Sequence, residues 1–306
     1  MKDPYLLHIF NPTKNVSPFD VNMAYEAAFD GVIPYTNVTL EEVHVLTQDT
    51  IFSRGPKGAK RTGIFIGGRE FGLAMDMLQR ARAAMVPPFE VSVFADPSGA
   101  ITTAAALVAG VERLLARTGS GDLKGRHVHV FGGTGPVGIC AGILAQSCGA
   151  EVCIVSHRGR QVAEEVVREY NARFDVSMRG AGSGSERDMA ELLERTEVLI
   201  CAARAGVRVV GHGQLKQAGA LRIAADANAV PPSGIEGVEA RDAGTIIDGT
   251  PGKALGIGAL AIGDIKYKLH QELFETMKQA PKAVFLDHIQ AFETARRVAA
   301  AALPER

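Results

Sequence analysis

A glycine-rich stretch in the middle of the chain has the composition and spacing of a phosphate-binding turn. Gly133, Gly135 and Gly138 follow the apolar residues 127–131 and precede the small apolar residues 139–145. This G-x-G-x-x-G spacing between a strand and a helix is typical of dinucleotide-binding folds. We expect Gly133 to allow the tight turn, Gly135 to let a pyrophosphate approach the backbone, and Gly138 to let the helix pack close to the strand.

The start of the following helix completes the predicted phosphate site. Pro136 suits a first helical turn because its missing N–H would have no partner there. The other N–H groups of that turn point at the phosphates, together with the positive end of the helix dipole. We therefore expect Thr134, Pro136 and Val137 to contact the dinucleotide as well. A second apolar strand over 151–155 completes a βαβ unit; the alternative is an ordinary tight turn between a strand and a helix.

The residues after this second strand indicate which dinucleotide binds. An NAD site usually has a carboxylate here for the ribose hydroxyls. The chain instead has Ser156, His157, Arg158 and Arg160. Because arginine matches a phosphate in geometry and charge, the sequence favours NADP, with NAD as the other possible coenzyme. The alternative is that these residues are solvated and open the next helix.

The ends of later strands supply further candidates for contact with the dinucleotide. Cys201 ends one predicted strand, 198–201, and Ala202 follows it; Asn228 follows another strand, 221–225. This is where a Rossmann domain meets the nicotinamide ring. Asn228 either bonds the nicotinamide carboxamide or forms a turn, as asparagine often does.

Length and composition limit the class of protein. The 306 residues suffice for two domains, and 46% hydrophobic with 22% charged residues is typical of a globular protein. A net charge of -1 argues against nucleic-acid binding. No apolar run is expected to span a membrane, and the charged, proline-containing N-terminus is unlike a signal peptide, so we expect a cytoplasmic protein without membrane partners. The four cysteines form no C-x-x-C pair, which favours buried free thiols over a metal site or disulfides.

Alternating strand and helix patterns predict an α/β fold with a parallel sheet in each of two domains. A polar linker around 118–122 separates residues 1–117 from a Rossmann domain over 122–275, and the C-terminal helix within 280–306 is expected to return to the first domain. Ligands of parallel sheets bind at the carboxyl ends of the strands. In the first domain, the residues expected at such a cleft are Gly67, Gly68, Asp96, Ser98 and Thr102.

Seven motifs in order along the chain resemble those of one family. They are Ser17-Pro18-Phe19-Asp20, Gly63-Ile64-Phe65-Ile66-Gly67-Gly68, Phe94-Ala95-Asp96-Pro97, Thr102-Thr103-Ala104, Phe131-Gly132-Gly133-Thr134-Gly135, Asp226-Ala227-Asn228-Ala229-Val230-Pro231-Pro232 and Gly256-Ile257-Gly258-Ala259-Leu260. Together they resemble the bacterial NAD(P)-dependent methylene-tetrahydromethanopterin dehydrogenases of methylotrophs, which are related to methylene-tetrahydrofolate dehydrogenases. The resemblance covers nearly the whole chain.

The resemblance implies a pterin-binding N-terminal domain, an NADP-binding Rossmann domain and a homo-oligomer, either a trimer or a hexamer. The implied reaction is reversible hydride transfer from methylene-tetrahydromethanopterin to NADP, in the one-carbon metabolism of formaldehyde oxidation. Asp20, Gly67 and Asp96 are the implied pterin contacts, although Asp20 is also a typical first-turn acid of a helix. Ile257 and Gly258 are added to the expected coenzyme contacts.

Lys266 follows the Gly-Ile-Gly stretch, and the resemblance implies a place near the reacting centre. Two adjacent nitrogens stabilise the product cation, so the reaction needs no general base and depends on positioning. Lys266 is therefore predicted to orient groups or stabilise charge; the alternative is an exposed helix lysine.

Three other functions remain open from the sequence. The pterin could be tetrahydrofolate, because both carriers share the reacting ring and only their tails differ. The chain could be a non-catalytic NADP-binding protein. A shikimate- or glutamate-type dehydrogenase is the third, and it would need an acid–base pair such as Lys14 and Asp96, which no spacing ties together.

Overall fold

A computed structural model describes residues 3–302 of the chain, so the predicted segment 280–306 extends beyond the described residues. The elements of the first third are β1 (Leu6–Asn11), α1 (Pro18–Glu26), β2 (Gly31–Thr36), α2 (Glu42–Phe52), α3 (Pro56–Ala59), β3 (Thr62–Ile66), α4 (Phe71–Ala83), β4 (Ser92–Ala95) and α5 (Ala100–Arg117). The middle third contains β5 (His127–Phe131), α6 (Pro136–Ser147), β6 (Glu151–Ser156), α7 (Arg160–Phe174), β7 (Arg179–Gly182), α8 (Glu186–Arg195) and β8 (Val198–Cys201). The last third contains α9 (His212–Leu215), β9 (Ile223–Asp226), β10 (Ala243–Ile246), β11 (Leu255–Ile257), α10 (Ala259–Gln279), β12 (Phe285–Leu286) and α11 (His288–Ala302).

The chain divides into two compact units. The first is Met1–Thr102 with Tyr267–Thr294, and the second is Thr103–Lys266 with Ala295–Arg306. The limits fall inside α5, α10 and α11, because each of these helices continues from one unit into the other. These limits differ from the predicted domain boundary between residues 117 and 122. The prediction used a glycine-rich linker, which marks the end of a helix or strand, whereas the compact units are defined by contacts between residues. The predicted boundary stays a prediction.

The first unit contains a five-stranded sheet in the order β12-β4-β3-β1-β2, and its strands are parallel. Every residue of β3 and β4 is buried. α1 ends at Glu26, and β2 follows it as the edge strand of this sheet. β2 lies at the edge of the sheet and contains Pro34, which an edge strand tolerates because it has an unpaired side.

The second unit contains a seven-stranded sheet in the order β10-β11-β9-β8-β5-β6-β7. The strands from β11 to β7 are parallel, and β10 pairs antiparallel with β11. The order β9-β8-β5-β6-β7 is that of a doubly wound dinucleotide-binding sheet, so the predicted α/β fold with parallel sheets is confirmed.

The segment Pro97–Arg117, which includes α5, is long and apolar enough to pass as a membrane-spanning helix by composition. The expectation that no apolar run reaches this length was therefore wrong. In this structure 78% of its most apolar window is buried within the protein, as in the core helix of a globular fold.

Candidate functional site

The glycine turn connects β5 to α6 and packs tightly against its surroundings. Gly132 has a φ of +67°, so the left-handed position in the turn belongs to Gly132, a glycine that the predicted pattern did not include. A Cβ on Gly132 would lie 2.5 Å from the Cα of Ala203. The turn after β5 therefore requires glycine at this position because of a residue that follows β8.

The three glycines of the predicted pattern differ in the space around them. A Cβ on Gly133 would lie 2.5 Å from the carbonyl oxygen of Val130, and one on Gly138 would lie 2.6 Å from the Cα of Gly133. Both glycines therefore allow α6 to pack close to β5. The nearest atom to a Cβ on Gly135 is 3.6 Å away, so the protein leaves this side of the turn open. A turn with this free space suits a pyrophosphate.

The first turn of α6 offers donors at the same place. Gly135 precedes the helix in an extended conformation, and the first intrahelical hydrogen bond runs from the N–H of Ile139 to the carbonyl oxygen of Gly135, 2.9 Å. The N–H groups of Val137 and Gly138 come before it and have no acceptor inside the helix. Thr134, Pro136 and Val137 are half-buried around these groups.

The turn after β6 brings the predicted phosphate-binding residues together, but with different exposures. Ser156 is 1% exposed, and its Oγ accepts the backbone N–H of Arg158 at 3.1 Å. Its hydroxyl therefore shapes the turn. His157, Arg158 and Arg160 are exposed. Arg160 is the first residue of α7 and lines a polar cavity of about 410 Å³ together with residues of α8. Arg158 comes before the helix, so it is the arginine that lies on the turn itself.

The residues predicted at the ends of β8 and β9 hold the loops in place. Cys201 is fully buried, and burial raises the pKa of its thiol to about 12. The N–H of Ala202 donates to the carbonyl oxygen of Phe131, 2.9 Å. Asn228 Oδ1 accepts the N–H groups of Gly206 and Val230, at 3.2 and 3.0 Å. The structure thus shows the turn-forming alternative for Asn228, and its contact with a carboxamide stays a prediction.

Ile257 and Gly258 lie where β11 joins α10. Ile257 is 4% exposed and lines a cavity of about 120 Å³. A Cβ on Gly258 would lie 1.9 Å from the carbonyl oxygen of Glu239, which explains the glycine by packing. The structure therefore gives Gly258 a steric role, and its contact with the coenzyme stays a prediction.

In the first unit, a polar cavity of about 250 Å³ lies at the carboxyl ends of β1, β3 and β4. Its lining residues are Asn11, Thr13, Asn15, Val16, Ser17, Pro18, Asp20, Gly68, Arg69 and Ser98. A Cβ on Gly67 would lie 3.1 Å from Asn11 Oδ1 and 3.6 Å from Asp20 Oδ2, so Gly67 lies directly beside this cavity. The structure thus brings together Asp20, Gly67, Gly68 and Ser98, as predicted.

Two side chains of this cavity, Ser98 and Asn11, donate hydrogen bonds to backbone carbonyl oxygens. Ser98 has a φ of +53°, and its hydroxyl donates to the carbonyl oxygen of Gly68 at 2.7 Å. Asn11, which the sequence analysis did not select, is 2% exposed and donates from Nδ2 to the carbonyl oxygens of Thr13 and Asn15, at 2.6 and 3.1 Å. The only sequence signal for Asn11 was an amide at the end of an apolar strand.

Asp96 and Thr102 are not among the residues that line this cavity, so the structure does not bring them together with the other predicted substrate contacts. Asp96 is fully buried, and its Oδ1 accepts the N–H groups of Ile101 and Thr102 at 2.9 and 3.1 Å. Its Oδ2 accepts the hydroxyl of Thr102 at 2.6 Å and lies 3.3 Å from Nδ1 of the buried His270. The carboxylate therefore caps α5. Lys14 is exposed on the loop after β1, so it does not form an acid–base pair with buried Asp96.

Lys266 is half-buried on α10, whereas its neighbour Lys268 is exposed. Of the four cysteines, which are all free, Cys148 is half-buried and the other three are buried. Within residues 3–302, no group of three or more His, Cys, Asp or Glu side chains is placed to hold a metal ion.

Similar structures have the same fold but little sequence identity. Shikimate 5-dehydrogenase from Listeria monocytogenes has a TM-score of 0.52 and 13% identity, covering 96% of each chain. An NAD-dependent malic enzyme from Thermotoga maritima has a TM-score of 0.54 and 13% identity, covering 95% of this chain and 84% of that chain. These likenesses establish the dehydrogenase fold alone.

Sequence comparisons are more specific. Residues 18–98 match the model of the methylene-tetrahydromethanopterin dehydrogenase N-terminal family. A bifunctional protein MdtA from Methylorubrum extorquens is 31% identical, covering 96% of this chain and 99% of that protein. An NAD(P)-dependent methylenetetrahydromethanopterin dehydrogenase from the same organism is 42% identical, covering 96% and 98%. The chain belongs to the family of NAD(P)-dependent methylenetetrahydromethanopterin dehydrogenases, as the resemblance of its motifs implied.

Proposed function

We propose that this protein oxidises methylene-tetrahydromethanopterin to the methenyl cation and transfers the hydride to NAD(P) in one-carbon metabolism. The observation that carries the proposal is a glycine turn that suits a pyrophosphate in a chain 42% identical, over nearly its full length, to an enzyme with this name. A non-catalytic NADP-binding protein would have no need of the polar cavity in the first unit.

The second unit supplies the groups that would hold the dinucleotide. The open side of Gly135 admits the pyrophosphate, and the N–H groups of Val137 and Gly138 donate to its oxygens. Arg158, exposed on the turn after β6, suits the 2′-phosphate of NADP, which supports NADP over NAD. When bound, the nicotinamide ring supplies the carbon that accepts the hydride.

The first unit supplies the cavity that we assign to the pterin. The amino-pyrimidinone edge of a pterin carries N–H donors, and carboxylate and amide oxygens are the acceptors that fit them. Asp20 lines the cavity and is 3% exposed, so its carboxylate would act from within the wall. Asn11 and Ser98 already hydrogen-bond to backbone carbonyl oxygens, which keeps the cavity in shape.

The mechanism that we propose needs no proton transfer. The methylene carbon loses a hydride, and the two neighbouring nitrogens share the positive charge that remains. The residues of this chain therefore act by positioning, because rate depends on bringing the reacting atoms to about 3–3.5 Å and excluding water. Lys266, half-buried on α10, is proposed to orient groups at the reacting centre.

The proposed assembly comes from the family resemblance, and the proposed location is the expectation drawn from the sequence. We propose a homo-oligomer, either a trimer or a hexamer, located in the cytoplasm. Light scattering on the purified protein measures its mass directly. A monomeric mass would contradict the proposed assembly.

A spectrophotometric assay tests the reaction. Tetrahydromethanopterin or tetrahydrofolate is mixed with formaldehyde, and NADP or NAD is added, which gives four combinations. We expect the highest rate with tetrahydromethanopterin and NADP. Activity only with tetrahydrofolate would move the proposal to methylene-tetrahydrofolate dehydrogenase, and no activity in any combination would refute the proposed reaction.

Lys266→Ala tests the proposed orienting residue. We expect slower hydride transfer with nearly unchanged NADP affinity, because the lysine acts on the reacting centre and not on the phosphates. Lys268→Ala, which changes an exposed lysine two residues away, is the matched control. Equal turnover in the two variants would remove Lys266 from the proposed site.

A further inference from the structure

Asp226 is a buried carboxylate that the proposed reaction does not use directly. It ends β9 and is 1% exposed. Its Oδ1 accepts the N–H of Asn228 and its Oδ2 accepts the N–H of Ile235, both at 3.0 Å. Two backbone N–H groups from the loop after β9 therefore converge on one side chain, and hydrogen bonds to a charged group are the strong ones.

Cys201 and Gly234 pack closely around the Asp226 carboxylate. Cys201 pairs with Asp226 across β8 and β9, so both side chains lie at the carboxyl ends of adjacent parallel strands. A Cβ on Gly234 would lie 2.5 Å from the Sγ of Cys201 and 3.0 Å from Oδ1 of Asp226. The loop after β9 can therefore close over Asp226 only because residue 234 is glycine.

Asn228 extends the network to the loop after β8. Its Oδ1 accepts the N–H of Gly206 at 3.2 Å, and its Nδ2 donates to the carbonyl oxygen of Pro232 at 3.2 Å. The loop after β8 in turn contacts the glycine turn, because the Cα of Ala203 occupies the space beside Gly132. Asp226 thus fixes the loop 227–235 and, through Asn228, the loop 202–207 that packs on the glycine turn.

We propose that Asp226 is a positioning residue for hydride transfer. It holds the loops 227–235 and 202–207 at the strand ends where the nicotinamide half of a bound dinucleotide would lie. This inference rests on the proposed function. Because hydride transfer depends steeply on distance, loosening these loops slows the reaction more than it weakens binding of the adenosine half.

Asp226→Asn is the first test, because the amide keeps the size of the side chain and loses one acceptor and the charge. We expect kcat to fall at least about tenfold, since a displacement of 1 Å can cost more than that. The dissociation constant of adenosine 2′,5′-bisphosphate, which lacks nicotinamide, should change less than about twofold. Amide hydrogen exchange of residues 227–235 should become faster, which reports loop opening directly.

Thr250→Val is the matched control within the same unit. Thr250 is buried, donates to the carbonyl oxygen of Ile247 at 2.8 Å and accepts the N–H of Ala254 at 2.9 Å. It therefore stabilises a turn without contact to the proposed sites. We expect this variant to lose stability while its kcat and the exchange of 227–235 stay near those of the wild type.

The results separate this inference from the proposed function. An unchanged kcat in Asp226→Asn, or an equal loss of kcat and of bisphosphate affinity, would overturn the positioning role. If Asp226→Asn does not fold, Cys201→Ala removes only the thiol that packs beside Gly234 and Asp226. It should give a smaller loss of kcat with the same unchanged affinity, and equal losses there overturn the positioning role too. If the wild type has no turnover, the proposed function fails. The positioning role is then tested by binding alone: Asp226→Asn must weaken the binding of NADPH and leave the binding of adenosine 2′,5′-bisphosphate unchanged.

Discussion

Asp96→Ala tests whether the carboxylate at the end of β4 is a helix cap or a substrate contact. The structure shows a fully buried side chain that accepts the N–H groups of Ile101 and Thr102 and the hydroxyl of Thr102. Loss of a capping side chain costs about 1–2 kcal/mol. The buried Thr102 hydroxyl, left with only a 3.3 Å contact to the carbonyl oxygen of Gly99, adds a cost of about 1 kcal/mol or more. We therefore expect the free energy of unfolding to fall by about 3 kcal/mol.

Urea unfolding followed by circular dichroism measures this loss, since the chain contains no tryptophan for fluorescence. Asp96→Asn keeps an acceptor for both N–H groups and should lose only about 1 kcal/mol, the difference between charged and neutral hydrogen bonds. Asp30→Ala is the matched control, because that exposed carboxylate accepts a single N–H, from Tyr5 at 2.7 Å. A loss below about 1 kcal/mol in Asp96→Ala, together with a raised KM for the pterin, would refute the cap and restore the substrate contact.

Three further predictions concern the second unit. Gly135→Ala should fold normally, because the nearest atom to the new Cβ is 3.6 Å away. It should bind NADP at least about tenfold more weakly, because the methyl group fills the open side of the turn. The control Gly213→Ala, where no atom lies within 4 Å of the new Cβ, should leave NADP binding unchanged. Arg158→Ala should weaken NADP by about 1.5–3 kcal/mol and leave NAD nearly unchanged, while Arg168→Ala changes neither; equal losses for both coenzymes would contradict the phosphate contact. Burial lowers the pKa of His129 to about 4, so the unfolded chain takes up its proton first and stability falls between pH 6.5 and 4, by about 2 kcal/mol at pH 5. His129→Asn should remove that part of the pH dependence in urea unfolding, and an unchanged slope would show that His129 is not its source.

The glycine turn was the part of the site that local sequence predicted best. Spacing and flanking residues identified the turn, and the need for close packing at Gly138 follows from the helix that begins beside it. The need for glycine at Gly132 was not predicted. It depends on Ala203, a residue 71 positions away in the chain that only the order of strands brings to the turn.

Short strands were the elements that the sequence analysis missed. β10, β11 and β12 contain four, three and two residues, which is too few for an alternating pattern to be seen. β11 exists because β9 pairs with it on one side and β10 on the other. Such strands are defined by their partners, so their own residues give little sign of them.

Two carboxylates of the first unit show why the site was predicted only in part. The resemblance implied that Asp20 and Asp96 both contact the pterin, and the structure gives them different tasks. Asp20 lines the cavity, whereas the oxygens of Asp96 are taken by the first N–H groups of the next helix. Asp226 resembles Asp96, because its oxygens are also taken by backbone N–H groups of its own loop.

A loop that follows a buried strand must satisfy its N–H groups where water cannot reach them, and an aspartate at the strand end satisfies two or three at once. A carboxylate used in this way is engaged by the protein, so we expect Asp96 and Asp226 to act on substrates only through the backbone that they hold. We expect contacts with the dinucleotide to come from groups that the protein leaves open, namely the N–H groups of the α6 first turn and the guanidinium of Arg158. For this fold, an acid predicted at a strand end should therefore be tested first for its effect on loop stability, and only then for its effect on substrate affinity.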